Sequence, residues 1–134
     1  GLMRLIYYIS AIVSSIAYVK QYKLQDKFLL LLEEPEAHVF PHSLIFLMDY
    51  IKEAIKEGLY VIITTHNDWF VSKIWDEIKE VKTYYVYKAL EGPIKPTCIA
   101  ELDIEKLAEE LVTPSEVVSL TPLEVSRRSL LKTH

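Results

Sequence analysis

The sequence predicts an α/β fold, a mainly parallel sheet flanked by helices, and three observations carry that prediction. "FLLLL" at 28–32 and "LYVIITT" at 59–65 are short continuous apolar runs, the mark of strands buried on both faces. Between them, 41–58 places apolar side chains at helical spacing. The links joining these segments are short. Strand, helix, strand, helix in that order implies parallel pairing through a crossover helix.

Each element follows from local signals. Residues 2–22 read as a helix, with Leu5, Ile9, Ile12, Val13, Ile16 and Val19 at helical spacing and a polar exit at "KQYKLQDK". The apolar run 5–19 falls short of the ~20 residues that span a bilayer and carries three serines. Arg4 before an apolar run resembles a signal peptide, but no small-residue cleavage site and cysteine-rich domain follow. The expectation is a core helix. After the first strand, Pro35 and Pro41 bracket a turn, and a helix begins at Pro41, since proline suits a first helical position. Its buried stripe is Leu44, Leu47, Met48, Ile51, Ala54 and Ile55, and its wet face is Asp49, Lys52, Glu53 and Lys56. Gly58 ends it.

Beyond the second strand, Asn67 is positioned to cap a third helix, and Asp68 suits the positive end of its dipole. Val71, Ile74, Trp75 and Ile78 form that helix's face, with Trp69 and Trp75 read as helix and core residues. "KTYYVYKAL" (82–90) and "TCIAEL" (97–102) predict two strands around the turn "EGPIKP", and short helices follow near 103–112, 114–119 and 122–132. The tyrosines of "TYYVYK" could stack on bases, but half-buried strand tyrosines account for them.

Composition sets the outer limits. A chain of 134 residues, 51% apolar and 25% charged, is a globular domain or part of one. Its net charge of -4 gives no chain-wide basic footprint, so nucleic-acid binding by this chain alone has no compositional support. Cys98 is the sole cysteine, which excludes an internal disulfide and a cysteine-based zinc site. The expectation is a structural thiol in a reducing, cytoplasmic setting.

The chemistry concentrates in "FLLLLEEPEAHVFPH" (28–42) and "VIITTHN" (61–67). A carboxylate beside a core must be solvated, paired or used on a cation, yet the first strand ends in Glu33 and Glu34. In a parallel sheet the working groups lie beyond the carboxyl ends of the strands, so Glu33, Glu34 and His66 should face one edge. One acid can hold Mg²⁺ and the other can orient or deprotonate a water. A histidine from the neighbouring strand can reach a terminal phosphate. Glu36 is expected to cap or position the loop. Glu34, His38 and His42 fall at a spacing that would face one zinc ion on a helix, but Pro35 and Pro41 forbid that helix.

These residues resemble a known family. "LLLLEEPEAHVFP" is similar to the Walker B segment and D-loop of ABC-type ATPases, closest to the branch holding SMC-like repair ATPases and the overcoming-lysogenization-defect proteins. "VIITTHN" resembles that family's switch-histidine strand, and "GLMRLIYYISAI" resembles the helix after its signature loop. The resemblance covers roughly residues 1–80. It implies that Glu34 is the catalytic carboxylate, that Glu33 attends Mg²⁺, and that His66 is the switch histidine. Ala37 to Val39, His38 among them, match the D-loop at a dimer interface. Gly1 matches the signature glycine that meets the partner subunit's ATP.

Two departures stand out. Glu33 replaces the usual Asp, moving the carboxylate by about a bond length. Glycine occurs only at 1, 58 and 92, and no Gly-Lys-Ser/Thr is present, so the chain carries no P-loop. The resemblance therefore implies a single partial ATPase domain over 1–134, the C-terminal half of an ABC ATPase head. An N-terminal P-loop lobe, in the same gene or a separate chain, would complete it. ATP and Mg²⁺ are the implied ligands. A homodimer closing on sandwiched ATP is the implied partner, with DNA reached through the full assembly and no membrane. The alternatives are a degenerate, non-hydrolysing dimerisation or scaffold module and, more remotely, a metal-dependent nuclease using Glu33, Glu34 and Glu36.

Overall fold

The computed structural model describes residues 1–89 and 92–132. Leu90, the end of the expected strand 82–90, and Glu91, the start of its turn, lie outside the described residues. The fold is mixed α/β, with a small parallel sheet and helices, as in part of a P-loop ATPase. The chain divides into two compact units, Gly1–Phe70 and Val71–His134.

The first unit runs α1 (Leu2–Tyr22), β1 (Phe28–Glu33), a 3-10 turn (Pro41–Ser43), α2 (Leu44–Lys56) and β2 (Leu59–Thr64). β1 and β2 pair in parallel, with Phe28 opposite Leu59 and Glu33 opposite Thr64. Helix α1 packs on α2 and β1, and α2 packs on β2. The core they form holds Leu5, Ile12, Val19, Leu32, Leu44, Leu47, Met48, Ile51, Ala54, Leu59 and Phe70. Burying each large aliphatic side chain there contributes about 1.5–3 kcal/mol.

Two expectations needed correction. Both strands were expected to be buried on both faces, but α1 and α2 cover one face only. The alternation of a strand therefore shows: Leu32 is buried, while Leu29, Leu31, Tyr60 and Ile62 are 53%, 66%, 59% and 51% exposed. The second concerns the helices. α2 proper begins at Leu44, because Pro41 opens a tighter 3-10 turn instead, and Ile55, expected in the buried stripe, is exposed. In α1 the buried stripe narrows to Leu5, Ile12 and Val19; Ile9 and Ile16 are half-buried and Val13 is exposed.

α1 is long and apolar enough, by length and composition, to cross a membrane. Its buried residues Leu5, Ile12 and Val19 lie on one stripe, and the helix packs on α2 and β1. Its end is a left-handed turn at Lys23, φ 53°, where the cap N–H bonds the Val19 carbonyl. Gly58, φ +85°, closes α2 as expected.

The second unit contains most of α3 (Asp68–Glu77), then β3 (Tyr84–Lys88) and β4 (Thr97–Glu101) as an antiparallel pair. Three short helices follow: α4 (Ile104–Glu109), α5 (Pro114–Ser119) and α6 (Pro122–Arg127). Asp103, Thr113 and Thr121 cap them by accepting the N–H three residues on. The core is Leu102, Leu107, Val112, Val117, Val125 and Leu130, with Trp75 and Tyr85 packed against it. Burial, with Tyr87 nearby, pushes the Tyr85 phenol above its ordinary value. The tyrosines of β3 alternate as expected, with Tyr85 and Tyr87 half-buried and Tyr84 exposed. Cys98 is half-buried in β4.

Candidate active site

The strand register builds the site. β1 and β2 end side by side, and the Glu34 N–H donates to the Thr64 carbonyl at 2.8 Å, one rung past the last strand pair. The chain then turns sharply. Glu34 and His38 adopt left-handed backbone, φ 43° and 61°. Such a conformation in a non-glycine residue costs of order 1–3 kcal/mol and clusters at functional sites. The turn is closed by Ala37 N–H to the Glu34 carbonyl and Val39 N–H to the Glu36 carbonyl, both 3.1 Å.

This turn brings the Glu34 carboxylate to the His66 imidazole: Oε1 and Nδ1 are 2.6 Å apart. With His66 80% and Glu34 41% exposed, the contact adds little to stability; its consequence is placement. The two groups expected to act together share one rim of the sheet. They line a cleft of about 540 Å³ with Glu36, Ala37, His38, Val39, Asn67 and Asp68.

The remaining expected residues fall around this cleft. Ala37 and His38 are in its wall. Gly1 lies against the same turn, since a Cβ there would sit 3.1 Å from the His38 carbonyl oxygen. Glu33 is outside the cleft lining and exposed, on the open sheet face that carries Leu29 and Leu31. Asn67 caps α3 as expected, accepting the Phe70 N–H at 2.9 Å. Among the described residues no three of His, Cys, Asp and Glu converge to hold a metal by themselves. Glu34 and Asp68 put carboxylate oxygens in the cleft wall, the donor type that Mg²⁺ takes.

Several partners were not visible in the sequence. Arg4 donates to the Glu34 carbonyl at 3.2 Å, and the Tyr8 hydroxyl donates to the Glu33 carbonyl at 2.6 Å. The Arg4 guanidinium also lies over the Tyr8 ring, 5.4 Å from its centre. The first turns of α1 thus hold the backbone of both acids. The only signal was their spacing of one helical turn, which has no meaning until the helix is docked. On the other side of the cleft, Thr65 Oγ1 donates to Glu36 Oε1 and accepts the Asn67 N–H.

A family model described as an AAA ATPase domain matches residues 1–71, just over half of the chain and nearly coincident with the first compact unit. The chain belongs to this AAA ATPase domain family, and a general ATPase-type function, dependent on nucleotide and Mg²⁺, comes with that membership. No curated protein and no solved structure matches it.

Proposed function

We propose that this chain is the C-terminal lobe of an ABC-type ATPase head, of the SMC-like and overcoming-lysogenization-defect group, in which Glu34 is the general base of ATP hydrolysis. One observation carries the reading: carboxylate and imidazole come from the ends of adjacent parallel strands and touch at 2.6 Å. Glu34 takes the proton of the attacking water, a contribution of ~10²–10⁴-fold. His66 orients that carboxylate and presents its ring to the terminal phosphate. Glu33 serves the Mg²⁺ position from the open face. Mg²⁺, when bound, neutralises charge developing on the phosphate oxygens. Ala37 and His38 form the dimer-facing loop, and Gly1 faces the nucleotide of the opposing head.

The chain's share of the cleft is acidic, with Glu34, Glu36 and Asp68 in its wall. A triphosphate therefore needs a cation and cationic side chains brought from elsewhere. A segment carrying a P-loop would supply them, and the apolar face of Leu29, Leu31, Tyr60 and Ile62, beside Glu33, suits it as a seat. In this reading two completed heads close on ATP in the cytoplasm, serving DNA repair, chromosome maintenance or phage defence. DNA is contacted through the assembly, and no membrane is involved.

Glu34→Gln in the protein completed by its P-loop segment should retain ATP binding and lose turnover by at least 10²-fold; near-normal turnover would refute the assignment. A second reading, a scaffold that binds nucleotide without hydrolysis, is favoured by Glu33 standing where Asp is usual and lying outside the cleft lining. The wild-type turnover of the completed protein separates the two.

A further inference from the structure

We propose that Glu36 and Thr65 form a latch that positions His66 against Glu34. The proposal deepens the reading of the site given above. Glu36 is only 5% exposed, buried as few acids are. Its Oε1 accepts the Thr65 hydroxyl. Its Oε2 is buried with no hydrogen-bond partner among the described residues. Leaving a buried carboxylate oxygen unmatched is unfavourable. Thr65 is pinned on both sides, donating to Glu36 and accepting the Asn67 N–H at 3.0 Å. Asn67 is pinned in turn by capping α3 through the Phe70 N–H. His66 is the residue between these two anchors, and its own side chain is 80% exposed. The acid of one loop thereby sets the histidine of the other, through a Thr65 contact that spans 29 positions of sequence. Glu36 and Thr65 are positioning residues, since neither bears the proposed chemistry.

The test needs no nucleotide. The ¹⁵N resonance of the His66 ring Nδ1 is followed by NMR at fixed pH in the full chain, with Glu34→Gln as the reference for a broken contact. Thr65→Val should move the resonance to the Glu34→Gln position, whereas Thr65→Ser, which keeps the hydroxyl, should leave it at the wild-type value. Because Thr65→Val strands a second oxygen of Glu36, the double variant Glu36→Leu with Thr65→Val is made as well. Removing both polar partners together preserves the fold better than removing one, and this variant should also show the broken-contact resonance. Leu47→Ala, which weakens the core without touching either loop, should leave the resonance unchanged. A wild-type resonance in the double variant, or equal loss in Leu47→Ala, overturns the latch. Loss of the ATPase reading is a separate event: Glu34→Gln retaining turnover would end that reading while the ring resonance still tracked Thr65.

Discussion

At Tyr8 a phenol hydroxyl 2.6 Å from the Glu33 carbonyl does two things at once. It satisfies a carbonyl at the end of β1, and together with Arg4 it fixes the direction in which the chain leaves the sheet. Glu34 then sits in left-handed backbone, φ 43°, a conformation that the surrounding contacts must hold in place. Tyr8→Phe removes two hydrogen bonds, the one donated to the Glu33 carbonyl and the one accepted from Arg4, and no ring packing. It should lower stability by about 0.5–1.5 kcal/mol in urea unfolding. In the completed protein it should lower kcat more than it raises KM, because the carboxylate is misplaced rather than lost. An unchanged kcat would show that the Tyr8 hydroxyl is not needed to place the carboxylate. Glu34 and His66 were legible as neighbours because each follows an apolar strand. Arg4, Tyr8 and Thr65 were not, because a hydrogen bond spanning 25 to 30 positions leaves no periodic trace.

Among the elements, strand and helix identities followed from periodicity, while their limits were set by packing and caps. Gly58 illustrates a limit that the sequence did disclose. Its φ of +85° disfavours any side chain, and a Cβ there would meet Gln25 Cβ at 3.0 Å. Its carbonyl also accepts the Asp26 N–H at 2.8 Å, tying the α1–β1 link to the α2–β2 turn. Gly58→Ala should therefore destabilise the domain by about 1–2 kcal/mol, read as a lower midpoint in thermal or urea unfolding. A neutral result would mean that the turn relaxes freely. The Pro41 boundary was misplaced because proline is equally at home opening a 3-10 turn, and nothing local separates the two.

For the whole molecule, the decisive feature is a parallel sheet covered on one face. Parallel sheets are characteristically covered on both, and here Leu31 and Ile62 stand 66% and 51% exposed. Leu31→Asp with Ile62→Lys should leave the unfolding midpoint nearly unchanged, because neither side chain is buried in this chain. On the proposed reading, the same pair should abolish binding of a P-loop segment in a pull-down or titration, and retained binding would refute this face as its seat. The apolar runs themselves could not reveal an open face, since a strand awaiting a partner and a strand already covered share one composition.

The sequence by itself determined the α/β alternation, the parallel pairing, and the placing of Glu34 and His66 at one sheet edge, because those depend on side-chain period and on the rule that parallel strands end together. Tertiary structure alone decided the open sheet face, the left-handed turn at Glu34, and the burial of Glu36 beneath Thr65. Burial and hydrogen-bond partnership are properties of distance in space. The register of β1 on β2 creates those distances between residues that the chain keeps far apart.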